Sequence, residues 1–139
     1  VDVGRGQLAW KLQSDDRVVV MDKTNARHLT AEDISDPINL IVCDASFIGL
    51  QTLLPAALSL AASGAHLVAL IKPQFEVDRD QVGKGGIIKD PALHAEVCTR
   101  IEAWLSGLPG WSVLGITESP IKGAEGNTEF LVAAHFSTI

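Results

Sequence analysis

Between Ile38 and Ile71 the chain carries a pattern that few folds can accommodate. Ile38–Cys43 is a mostly apolar run that stops at Asp44, Leu50–Ala62 is an apolar-rich stretch of helical length ahead of Gly64, and Ala65–Ile71 is a second apolar run that stops at Lys72-Pro73. The spacing predicts a strand, a helix ended by Gly64, and a second strand. Such a unit joins two parallel strands through a right-handed crossover, so both strands finish at the same edge of one sheet. Asp44 and Lys72 are thereby expected at the carboxyl edge, where open α/β sheets bind their ligands.

A lysine directly after an apolar strand is costly, because burial disfavours its ammonium form unless a carboxylate partners it or its head reaches water. Glu129, at the start of the last predicted strand, is a third charged residue at a strand end. A lysine between Asp44 and Glu129 is either a structural ion-pair cluster or a tuned acid–base site, and the residues alone leave both readings open, beside a lysine that snorkels its head into water.

The remaining segments fit one mixed α/β domain over residues 1–139. Val1–Gly4 reads as the tail of a strand and a turn, Gly6–Gln13 has helical spacing through Leu8 and Leu12, and Val18–Met21 reads as a short β run. Thr30–Asp33 has the spacing of a capped helical turn. Phe75–Lys89 is a long loop with Gly83-Lys84-Gly85-Gly86, read as an active-site lid or a plain surface loop. Asp90-Pro91 opens a helix with Leu93, Val97, Ile101 and Leu105 on one face, ending near Gly107. Trp111–Thr117 and Glu129–Phe136 are joined by a connection too short for a crossover helix, so they are expected as antiparallel neighbours.

Several function classes find no support. The net charge of −6 argues against nucleic-acid binding through bulk charge, although Arg79, Lys84, Lys89 and Lys122 form a local basic set. No apolar run reaches membrane-spanning length and no leader opens the sequence, which makes the cytoplasm the expected location. Cys43 and Cys98 lie in apolar patterns, and His28, His66, His94 and His135 are scattered without ligand spacing, so packing and not metal binding is expected of them. Gly4-Arg5-Gly6 and the 83–86 glycines lack the full spacing of nucleotide-binding loops, and Ser46 lacks the Gly-x-Ser-x-Gly elbow of a hydrolase nucleophile. Trp10, Trp104 and Trp111 are read as core or rim packing.

Six motifs occur in order: Val1-Asp2-Val3-Gly4-Arg5-Gly6-Gln7-Leu8; Thr24-Asn25-Ala26-Arg27; Asp44-Ala45-Ser46-Phe47-Ile48; Lys72-Pro73-Gln74-Phe75-Glu76; Val82-Gly83-Lys84-Gly85-Gly86; and Ser119-Pro120-Ile121-Lys122-Gly123 through Asn127-Thr128-Glu129-Phe130. Together they resemble the TlyA family of hemolysin A-type, FtsJ-like ribosomal RNA methyltransferases, over essentially the whole chain. The resemblance implies a Rossmann-like sheet, S-adenosylmethionine as cofactor, ribosomal RNA or ribosomal subunits as partner, and a ribose 2′-hydroxyl as the methyl acceptor. It places Asp44, Lys72 and Glu129 in a Lys-Asp-Lys-Glu tetrad whose first lysine has no counterpart in this sequence. Asp2, Val3, Gly4, Asn25, Ala26 and Asp44 would face the cofactor, with Asp2 on its ribose and the Asn25 loop at its adenine, while Arg79, Lys84, Lys89 and Lys122 would steer RNA phosphates.

The chemistry suits these residues: a ribose hydroxyl is a weak nucleophile near neutral pH, so a group such as Lys72 that removes or orients its proton, held by Asp44 and Glu129, accelerates transfer. Against the family pattern, the sequence is expected to lack the central first strand, the glycine-rich cofactor loop and the small RNA-binding domain. Weak cofactor binding and a bare sheet edge beside Ile38–Cys43, open to strand rearrangement or to a dimer contact, follow as expectations. The alternatives are a non-catalytic binding module on this fold, including the membrane-damaging role in the hemolysin name, and a nucleotide-dependent oxidoreductase, which the missing glycine fingerprint disfavours.

Overall fold

The strand–helix–strand unit forms as its spacing requires. In a computed structural model describing residues 1–138, β1 (Ile38–Cys43) pairs in parallel with β2 (Ala61–Ile71), and α2 (Leu50–Leu58) crosses between them. Near the amino terminus lies α1 (Trp10–Gln13), and α3 (Pro91–Ser106) precedes β3 (Trp111–Glu118) and β4 (Phe130–Phe136). The sheet order is β1-β2-β4-β3, with β4 antiparallel to both of its neighbours. The expected mixed α/β sheet with an antiparallel carboxyl-terminal strand is therefore present. Among the described residues no strand pairs with the outer edge of β1.

One face of the sheet is covered. Ala65, Leu67, Ala69 and Ile71 alternate inward along β2 and are essentially inaccessible, and the last three share one core with Leu50, Leu54 and Leu58 of α2 and Val97, Ile101 and Leu105 of α3. Asp90 caps α3 by accepting the Ala92 amide at 2.9 Å, with Pro91 in the first turn, as read from the sequence. The opposite face carries Leu40, Val42, Val68 and Leu114, all exposed, around a contact between His66 and His135 with ring centroids 4.8 Å apart. Parallel strands in α/β domains are ordinarily covered on both faces.

Five local expectations need correction. The helix after β1 ends at Leu58 and not at Ala62, because Ala61 already pairs with Ile38. Gly64 (φ +92°) lies inside β2, where the ladder skips from Ile38–Ala61 to Leu40–His66; it supports a bulge and does not cap the helix. Val18–Met21 is not a strand: it lies outside the sheet, with Val18 N donating to Asp15 O and Met21 O accepting from Asp2 N, while Lys23 N and Thr24 N just beyond it donate to Gly4 O and Asp2 O. Helix around Gly6–Gln13 shrinks to Trp10–Gln13, and Trp10 is 77% exposed, so it packs in neither core nor rim. Trp111 is buried and Trp104 lies against the core, as expected. Thr30–Asp33 makes a single turn in which Asp33 Oδ2 accepts the Thr30 amide at 2.8 Å.

Candidate active site

The carboxyl edge of β1 and β2 collects the charged residues. β1 ends at Cys43 and β2 at Ile71, so Asp44 and Lys72 leave the sheet side by side, and Lys72 Nζ lies 2.5 Å from Asp44 Oδ1. The lysine side chain is only 12% exposed whereas that of Asp44 is 69% exposed, so the ammonium is held under a carboxylate that itself faces solvent. Ser46 Oγ is a more distant partner of Lys72 Nζ at 3.5 Å. Pro73 keeps Lys72 extended (φ −114°, ψ 95°) and starts a 3₁₀ turn over Pro73–Phe75, which fixes where the lysine leaves the strand. Snorkelling into open water therefore does not describe this lysine.

Glu129 reaches the same edge from the opposite direction. Phe130 pairs with Ile71 and with Glu118, and the Ser119 amide donates to Glu129 O at 2.8 Å, so Glu129 immediately precedes β4. Its carboxylate is buried at 6% exposure, and Gln74 Nε2 donates to Oε2 at 2.9 Å. Among the described residues no lysine, arginine or histidine comes within ion-pair distance of it, so Lys72 is paired with one carboxylate and not two. Gly123 makes room for this carboxylate: a Cβ there would sit 2.0 Å from Glu129 Oε2.

Behind the edge, a second buried carboxylate organises the elements. Glu76 Oε2 accepts the Leu50 amide at 3.0 Å and so caps α2, whose own N-cap, Gly49, has no side chain to do it. Arg100 of α3 donates to Glu76 O at 2.5 Å and to Gln51 Oε1, and lies 3.7 Å from Glu76 Oε1. Burial pushes the Glu76 carboxyl up from its ordinary range, while the Leu50 amide and Arg100 pull in the other direction. Burial likewise raises the Cys43 and Cys98 thiols, and both pack against the core as expected.

Beside Asp44, Phe47 adopts φ +68° and is 89% exposed, its ring 4.9 Å from that of Phe75. A bulky residue held in the left-handed region and turned to solvent is unusual. No periodicity argument could have found it, because both its backbone and its exposure depend on the loop after β1.

The other expected site residues are distributed as follows. Asp2 Oδ1 accepts the Gly4 amide at 2.8 Å, and Asn25 Oδ1 accepts the Arg27 amide at 3.1 Å to cap a 3₁₀ turn, Ala26–His28, that packs against α2. Val3 and Gly4 lie in the same exposed stretch as Asp2. Lys84 and Lys89 line a cleft of about 250 Å³ with Gln81, Ile87 and Leu93, and Arg79 stands on the adjoining turn. Lys122 is engaged within its own loop, donating to Thr128 Oγ1 at 2.9 Å and lying 3.9 Å from Glu118. The buried Asn127, which the sequence motif includes without indicating a role, ties this loop to the glycine-rich one: its Oδ1 accepts the Ile88 amide at 3.0 Å and its Nδ2 donates to Gly86 O at 2.8 Å and Ala124 O at 3.0 Å.

Comparison with known proteins gives this edge a context. Over 131 residues the chain is 47% identical to the 16S/23S rRNA (cytidine-2'-O)-methyltransferase TlyA of Mycobacterium tuberculosis, which is 94% of this chain and 48% of that protein. It is 40% identical over 137 residues to Hemolysin A of Brachyspira hyodysenteriae, 98% of this chain and 56% of that protein. A crystal structure of a Lactococcus lactis protein that carries a hemolysin name superimposes with a TM-score of 0.92 at 43% identity, covering 99% of this chain and 65% of the other. The chain thus spans about half the length of the curated relatives it matches. A family model described as FtsJ-like methyltransferase matches residues 1–136, and the chain belongs to that family.

Proposed function

We propose that the protein to which this chain belongs methylates a ribose 2′-hydroxyl of ribosomal RNA with S-adenosylmethionine. The observation that carries the reading is the Lys72–Asp44 pair at the carboxyl edge of the sheet, on a chain of the FtsJ-like family. The cofactor would supply a methyl group on a positively charged sulfur, reactive towards an oxygen nucleophile. Asp2 and Asp44, both exposed carboxylates with an oxygen to spare, suit the diol and amino groups of such a molecule, and the Asn25–Ala26 turn would border its adenine.

Lys72 would meet the acceptor hydroxyl. With its nitrogen held by Asp44, the neutral amine would take the hydroxyl proton as the oxygen bonds the methyl and the sulfur–methyl bond breaks, leaving a neutral thioether, or, as ammonium, it would orient that oxygen while the proton leaves to water. Glu129, buried on the far side of the edge, fixes the approach of the ribose. Phe47 offers an exposed ring on which the base of the acceptor nucleotide can stack. Arg79, Lys84 and Lys89 would steer phosphates, and Lys122 would shape its loop. The bare edge of β1 suits pairing with another strand, from the longer protein or from a second copy.

Relatives also carry hemolysin names; no helix among the described residues is long and apolar enough to cross a membrane. The product decides the matter. The full-length protein, given labelled S-adenosylmethionine and ribosomal subunits, should place label in alkali-resistant dinucleotides, because a methylated 2′-oxygen cannot attack the neighbouring phosphate. Label confined to bases, or no transfer, would contradict the proposal.

A further inference from the structure

Gln74 is 8% exposed, and only half of its amide is satisfied: Nε2 donates to Glu129 Oε2 at 2.9 Å, while Oε1 is buried with no partner. The orientation of the amide is set by chemistry, since a carboxylate can only accept. A side chain kept for packing alone would carry no such orphan, because an unmet buried acceptor costs more than an apolar group of the same shape. Its partner is just as isolated, Glu129 having Gln74 as its only side-chain contact of hydrogen-bond or ion-pair type among the described residues. The two come from opposite sides of the edge, Gln74 from the turn after β2 and Glu129 from the lead into β4, 55 positions apart.

From this geometry we infer that Gln74 is a positioning residue of the methyl-transfer site, its amide N–H holding the Glu129 carboxylate in one orientation. The inference rests on the reading above and deepens it. The site then has two units: Lys72 with Asp44, which meets the acceptor oxygen, and Glu129 with Gln74, which sets where the ribose comes to rest. Glu129 has two carboxylate oxygens and a rotatable end, and among the described residues Gln74 is the one group that donates a hydrogen bond to that carboxylate.

The test is a double-mutant cycle in the full-length protein, read as turnover on ribosomal subunits. Gln74→Met, close in size, should lower kcat by about tenfold or more, the loss typical of a displaced active-site group, with KM for the RNA within about twofold. In a Glu129→Gln background the same change should cost less than about twofold, since the group it acts through is already altered. Gln74→Leu removes both donor and acceptor, and should fail as Gln74→Met does; it also stands in if Gln74→Met does not fold, as judged by its melting temperature. Losses that multiply across the cycle, or near-normal turnover by Gln74→Met or Gln74→Leu, would overturn the assignment while leaving the methyltransferase reading intact. Absence of transfer by the unmutated protein would overturn both.

Discussion

Buried charge is the theme at the scale of single residues. The Glu76 side chain is only 3% exposed and its carboxyl is raised by burial, so it binds its proton more tightly in the folded chain than in the unfolded one. Stability should therefore decline as pH rises from the ordinary glutamate range through the folded value, and level off above it. In Glu76→Gln the amide carbonyl can still accept the Leu50 amide without a charge to bury. Urea denaturation should show the variant gaining on the parent as pH rises from the ordinary glutamate range through the raised folded value, and no further above it. A difference that is flat, or that falls with pH, would contradict this account. Lys72 and Asp44 could be read from strand ends alone, and their pairing followed from the parallel crossover. Glu76, Gln74 and Arg100 could not, because each acts on a partner brought up by tertiary packing: Glu76 caps a helix from 26 positions away.

Among the elements, the two loops at the edge behave as one. Asn127 holds the glycine-rich loop through Gly86 and Ile88 while staying bonded to Ala124 of its own loop. Asn127→Ala would leave the buried Ile88 amide without a partner, at a cost of about 1–3 kcal/mol. Hydrogen exchange at Ile88 should quicken markedly in this variant while amides of α3 remain protected; unchanged exchange at Ile88 would show that the clasp is not what holds the loop. The sequence marked the loop by its glycines but could not show what restrains it. The mostly apolar run of β4 and the capped helix α3 were legible because pattern and burial agree there, and β1 was legible from its apolar run and the Asp44 that ends it although Leu40 and Val42 are exposed. Val18–Met21 has the composition of a strand and no sheet neighbour to make it one, and Ala61–Gly64 has the composition of a helix end but pairs with β1. In both cases tertiary pairing overrode local preference.

The described residues are asymmetric: one face of the sheet packs against α2 and α3, while Leu40, Val42, Val68 and Leu114 on the other face are exposed and no described strand pairs with the outer edge of β1. That architecture places every group we assign to methyl transfer along one edge, drawn from segments as separate as residues 44, 72 and 129. If the edge is a reaction site, its function must hinge on Lys72, the least exposed cation there and the only one paired with Asp44 among the described residues. The most direct measurement is methyl transfer to ribosomal RNA by the full-length protein with Lys72→Ala, beside the unmutated protein and with melting temperatures to confirm folding. The account predicts a loss of at least about a hundredfold in turnover, as expected for a group that handles the acceptor proton. Normal turnover by a folded Lys72→Ala protein would contradict it.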